Sequence, residues 1–101
     1  MAKHERSDTH NLLVALKHPL RREILKTMAT GETSPRDLAK TLDRPLSNVS
    51  YHVRVLVDCG VLELVRTRQV RGSMQHFYRS LVEEDWAKHI LGIAGKATPP
   101  V

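Results

Sequence analysis

Leu12, Leu13 and Leu16 recur at helical spacing and predict a first helix from about Thr9 to Lys17. His18-Pro19 interrupts it, because proline disfavours helix in the residue before it and suits the first position of a new one. Leu20, Ile24, Leu25 and Met28 then form the inward stripe of a second helix over roughly 19 to 29, with Gly31 as its stop. The segment SPRDLAKTLD is the best helix start in the chain. Ser34 can cap, Pro35 takes the first helical position, and the Asp37 carboxylate can reach back to the cap N–H. Its inner stripe is Leu38, Ala39 and Leu42. After a break at Asp43-Arg44, Pro45 restarts a helix that buries Val49, Val53 and Leu56 and stops at Gly60.

Beyond Gly60 the period changes. VLELVRTRQV and SMQHFYRSL flank a turn at Arg71-Gly72 and predict a two-stranded hairpin. Glu83 to about Lys96 predicts a final helix with Trp86, Ile90 and Ile93 on one stripe and Glu83, Glu84 and Asp85 in an acidic first turn. The fold class is therefore mainly α with a small β-hairpin, in the order four helices, hairpin, helix. A chain of 101 residues without internal repeats suits one small domain, placed at residues 9–96 between a flexible N-terminus at 1–8 and a flexible tail at 97–101.

The fourth helix carries its polar residues in an unusual way. Opposite the buried stripe stand Ser47, Tyr51 and Arg54, flanked by Asn48 and Ser50. Lys and Glu, the usual fillers of a solvated face, are absent between 45 and 57, and Tyr is a poor choice for one. A duplex major groove admits one α-helix, where Arg pairs with guanine, Asn with adenine and Ser with either. Such residues near the start of the helix match the end that a helix-turn-helix protein inserts.

Charge supports a polyanionic partner: the formal net charge is +5 and the pI about 9.8. Arg66, Arg68, Arg71 and Arg79 lie on the hairpin, with no acidic residue between Val65 and Val82. A basic hairpin beside a groove-inserted helix would grip phosphates and add salt-dependent affinity. A charged edge strand that only keeps the chain soluble would look the same. The single cysteine, Cys59, precludes an internal disulfide and fits a reducing compartment. With no apolar run of about 18 residues and a polar start, the expectation is a cytoplasmic protein without a membrane partner.

Taken together, HPLRREIL, SPRDLAKTLD, NVSYHVRVLVDCGVLELV and HFYR resemble the ArsR-type winged helix-turn-helix transcriptional regulators over roughly residues 10 to 80. The resemblance implies a winged helix-turn-helix fold and a homodimeric repressor of double-stranded DNA, with Ser47, Asn48, Ser50, Tyr51 and Arg54 facing the duplex. Arg66, Arg68 and Arg71 would serve as phosphate contacts of the wing. Arg21 and Arg22 fall in the Pro-x-Arg segment, as suited to a structural role as to phosphate binding, and His52 occupies a packing position. Dimerisation in that family uses the first and last helices, which here offer Leu12, Leu13 and Leu16 with Trp86, Ile90 and Ile93.

The sequence departs from the metal-sensing relatives. Their thiolate sites need two or more cysteines, often as Cys-Val-Cys, where this chain has Val53-Arg54-Val55. Asp85 and His89 could offer two ligands on one helix face, short of a four-coordinate site. No cofactor or metal is therefore expected, and any effector is unknown. Cys59 at a helix C-terminus would keep its proton, which disfavours a redox switch. Phosphate-cradling glycine loops, His-Glu-x-x-His and Gly-x-Ser-x-Gly are missing, and the six scattered histidines have no partner pattern suggesting a catalytic base, so an enzyme is not expected. The rival reading is a winged-helix module whose basic face docks an acidic protein and has no operator of its own.

Overall fold

The computed structural model describes residues 9–93, so the expected loose ends at 1–8 and 97–101 lie outside the described residues. The element order is α1 (Thr9–Leu16), α2 (Pro19–Met28), α3 (Pro35–Leu42), α4 (Leu46–Asp58), β1 (Leu62–Val70), β2 (Ser73–Ser80) and α5 (Asp85–Leu91).

Each helix boundary has a local cause. His18 caps α2 with its side chain, Nδ1 accepting the Leu20 N–H at 3.0 Å, and Pro19 begins the helix where no N–H is needed. Ser34 caps α3 by accepting the Asp37 N–H at 3.2 Å. Asp43 then adopts a left-handed φ of 55°, which Asp tolerates better than most residues, and the chain reverses into α4. Gly60, at φ 81°, closes α4 so that the Val61 N–H reaches back to the Leu56 carbonyl at 3.1 Å, satisfying a terminal acceptor.

One core lies among these helices. Leu20, Ile24, Leu25 and Met28 of α2 pack against Leu38 and the α4 stripe of Val49, Val53 and Leu56, all buried. Leu12, Ala15 and Leu16 close it from α1, and Ala87 and Leu91 from α5. The strands pair antiparallel, with an irregularity at Val65 that shifts register between Leu64 and Arg66. Thr33 adds a third, one-residue rung: it exchanges backbone hydrogen bonds with Tyr78 at 3.0 and 2.8 Å, tying the base of the hairpin to the segment before α3.

The last helix differs from expectation. It runs only from Asp85 to Leu91, ended by Gly92 at φ 78°, and its inward residues are Ala87 and Leu91. Trp86 and Ile90 are 38% and 53% exposed, while Ile93 lies past the cap and packs against the core. Trp86, Ile90 and Ile93 therefore do not share a stripe. Among the described residues no helix is long and apolar enough to cross a membrane.

Candidate nucleic-acid interface

The exposed side of α4 is held by what lies behind it. Val49, Val53 and Leu56 are almost completely buried, so rotation of the helix would expose them to water. His52 adds a polar lock. Its Nδ1 sits 3.4 Å from Arg21 Nη1, and because arginine can only donate, the ring accepts there and carries its proton on Nε2. Arg21 is itself anchored, donating to the carbonyls of Val14 at 3.0 Å and Ala15 at 3.3 Å, and Arg22 donates to Leu16 at 2.6 Å. Both arginines thus close the end of α1, which assigns the Pro-x-Arg segment a structural task. The His18 ring lies tilted against His52 with ring centroids 4.3 Å apart, and Tyr51 meets it edge-on at 5.0 Å. Burial first, then the charges of His18 and Arg21, hold the His52 pKa below the ordinary histidine value.

Ser47, Asn48, Tyr51 and Arg54 are all exposed, Tyr51 to 60%. They lie on one side of α4, and Arg54 forms no ion pair among the described residues. Ser50 is half-buried and turns toward the wing. The α4 start has no side-chain cap, since Pro45 occupies that place, which leaves the first-turn N–H groups beside Ser47 and Asn48 without a side-chain partner from the cap.

The wing divides its charges. Arg68 and Arg71 are exposed, and neither forms an ion pair among the described residues. Arg66 differs from expectation: its Nε donates to Glu32 at 2.9 Å, and its guanidinium lies 4.1 Å over the Phe77 ring. It links the wing to the α2–α3 connection. Arg79 is likewise paired, with Glu63 across the hairpin. A further tie is half-buried: Gln75 Nε2 donates to Ser34 Oγ at 2.8 Å. One hydroxyl thus serves both the α3 cap and the wing. The sequence reading missed Glu32 and Gln75 because their partners are 34 and 41 residues away.

Of the six side chains expected at a dimer face, Leu13, Trp86 and Ile90 are exposed, while Ile93 packs against the core. Leu12 and Leu16 are consumed by the chain's own core, leaving Leu13 of α1 exposed at 52%. Cys59 is buried, and its thiol is pushed up chiefly by burial, with Asp58 adding and Arg21 opposing. Among the described residues no three His, Cys, Asp or Glu side chains converge as metal ligands.

Two helices joined by a tight turn, the second exposed beside a hairpin, form the geometry of a known DNA-binding unit. Residues 16–65 match the helix-turn-helix domain family. That span runs from the end of α1 through α2, α3 and α4 into β1. The hairpin that follows makes the fold a winged helix-turn-helix. Among solved structures the chain is similar to a possible transcriptional regulator from Methanosarcina mazei Go1, with TM-score 0.58 and 15% identity over 87% of this chain and 76% of that one. At that identity the likeness bears on fold alone. No curated protein matches the chain in sequence.

Proposed function

We propose that this protein is a sequence-specific regulator of transcription of the ArsR type that binds double-stranded DNA as a homodimeric repressor. The observation that carries the reading is the exposed α4 face of Ser47, Asn48, Tyr51 and Arg54, locked from behind by Val49, Val53, Leu56 and His52. A rigid helix with hydrogen-bonding side chains near its start is what base reading requires. Arg68 and Arg71 supply the phosphate contacts of the wing, while Arg66 positions it. The match to a helix-turn-helix domain, and the regulator of similar fold, support the same reading.

Two copies pair through the exposed apolar side chains left on the first and last helices, Leu13, Trp86 and Ile90. Their two α4 helices then enter successive major grooves about 34 Å apart. The repressor role is carried over from the family resemblance; a reporter whose promoter overlaps the selected site should fall in expression when the protein is supplied.

Selection of bound duplexes from a random-sequence pool, at salt where the screening length is about 8 Å, tests the reading. An enriched inverted repeat is expected. No enrichment, with weak binding that collapses steeply with salt, would overturn it in favour of a module that docks an acidic protein. A monomer in sedimentation at micromolar concentration would remove the two-half-site arrangement.

A further inference from the structure

Between α4 and β2 lies a cleft of about 350 Å³, in the lower part of the roughly 300–1,000 Å³ range of small-molecule sites. Its inner surface is apolar. Val53 is buried there, and Val57, Val70 and Tyr78 are half-buried beside it. Its outer edge carries two cations, the exposed Arg36 at the start of α3 and Arg54 on α4, with the His76 ring on β2 beside them. No carboxylate lines it, and neither arginine forms an ion pair among the described residues. Ser50 also lines the cleft, whereas the Gln75 amide already donates to Ser34.

This combination selects by chemistry. A bare phosphate would use the guanidinium groups and leave the apolar wall solvated. A neutral apolar molecule would cover the wall and leave the cations unanswered. Guanidinium groups favour planar, bidentate carboxylates, and an aromatic ring can pair with the Tyr78 ring on the inner wall. We propose that the cleft between α4 and the wing binds a small aromatic carboxylate, its ring against Val53, Val57 and Tyr78 and its charge on Arg36 and Arg54. Where the DNA reading holds, the ligand and the duplex share Arg54, so occupancy of the cleft opposes DNA binding.

Titration of the isotope-labelled full chain with 2-naphthoate, followed by amide shifts without DNA, tests the site. Saturable binding is expected by about 1 mM, with shifts centred on Ser50, Val57, Met74 and His76. The neutral 2-naphthamide, and the variant Arg36→Gln, should each bind about tenfold more weakly, the loss of one charge-assisted pair. Met74→Glu, which places a carboxylate at the exposed edge of the cleft, should lose still more. Shifts centred instead on Leu13, Trp86 and Ile90, no saturation, or unchanged affinity in both variants would overturn the site. Saturation in the cleft by a protein that selects no duplex sequence would uphold the site and overturn the DNA reading. Duplex affinity unmoved by saturating 2-naphthoate would overturn only the competition.

Discussion

At the junction of α1, α2 and α4, Arg21 spends its guanidinium on the carbonyls of Val14 and Ala15 and on His52, on the same helix as the fully buried Ile24 and Leu25. On the wing, Arg68 and Arg71 stand in solvent, and only Leu62 and Phe77 of the two strands are buried. The same residue type therefore does opposite work. Inside, arginine satisfies acceptors at a helix end and fixes the angle between helices; outside, it is left unpaired and available to a polyanion. The wing is tied to the helices by Leu62 in the core, by Tyr78 packed against it, by the Thr33–Tyr78 rung and by the polar pairs Ser34 with Gln75 and Glu32 with Arg66. Stability resides in the helices and charge is concentrated on the hairpin.

The largest effect should come from the helical half. Leu25→Ala removes a side chain with no exposed surface and should cost about 2–5 kcal/mol in denaturant unfolding. A cost below about 1 kcal/mol would mean that the α2–α4 interface collapses around the gap and is looser than its burial implies.

Ser34→Ala tests the link between the halves. It removes the α3 cap and strands the Gln75 amide, so a loss of about 1–3 kcal/mol is expected. Amide exchange should also speed up on β2 beyond the change in global stability. Uniform acceleration across α2 and β2 alike would show that the wing does not open separately.

The duplex contacts come next. Arg54→Ala should cost about 1–3 kcal/mol on the selected site and relax preference at one base position. Arg68→Ala should weaken all duplexes about equally and reduce the salt slope by about one phosphate contact. Identical behaviour of the two variants would dissolve the distinction between a reading helix and a gripping wing.

Acidification should touch the junction before the wing. The folded chain holds the His52 pKa below 6.5, so as pH falls the unfolded chain takes up its proton first and unfolding is favoured. The His52 contribution is present above about pH 6.5, is lost progressively as pH falls through the lowered folded value, and changes no further beneath it. His52→Gln keeps an acceptor for Arg21 and cannot titrate, so its melting temperature should fall less than that of the parent between about pH 7.5 and 5.5. Equal slopes would place the acid sensitivity elsewhere.

Much of this was legible in the residues. Leu20, Ile24, Leu25 and Met28, and the α4 stripe of Val49, Val53 and Leu56, follow a 3.6-residue period strong enough to read directly, and all are buried. Proline and serine marked the starts of α2 and α3 because those signals act over three or four residues. On α5, Trp86–Ile90 and Ala87–Leu91 are both i, i+4 pairs, one position apart, so the sequence period alone does not say which pair faces the core. Periodicity favours the larger side chains, whereas the packing takes Ala87, which has no exposed surface. In the candidate site, Ser47, Asn48, Tyr51 and Arg54 could be placed because helix geometry alone sets their side. Arg66 could not, since only the tertiary fold brings Glu32 to it.

The smallest effect bears most directly on why the wing tip is basic. Arg71 and Gly72 form a two-residue turn with φ of 45° and 82°, both in the left-handed region, as the type I′ hairpin turn requires. Glycine accepts this freely; arginine does not, and Asn is the usual choice at that first position. Arg71→Asn should therefore stabilise the hairpin by about 0.5–1 kcal/mol, read as a rise in melting temperature. If the strain is retained for the sake of a phosphate contact, the same variant should bind every duplex more weakly and with a shallower salt slope. A variant that is more stable and binds as before would leave Arg68 as the gripping residue and make the tip a turn with a costly side chain and no task on DNA.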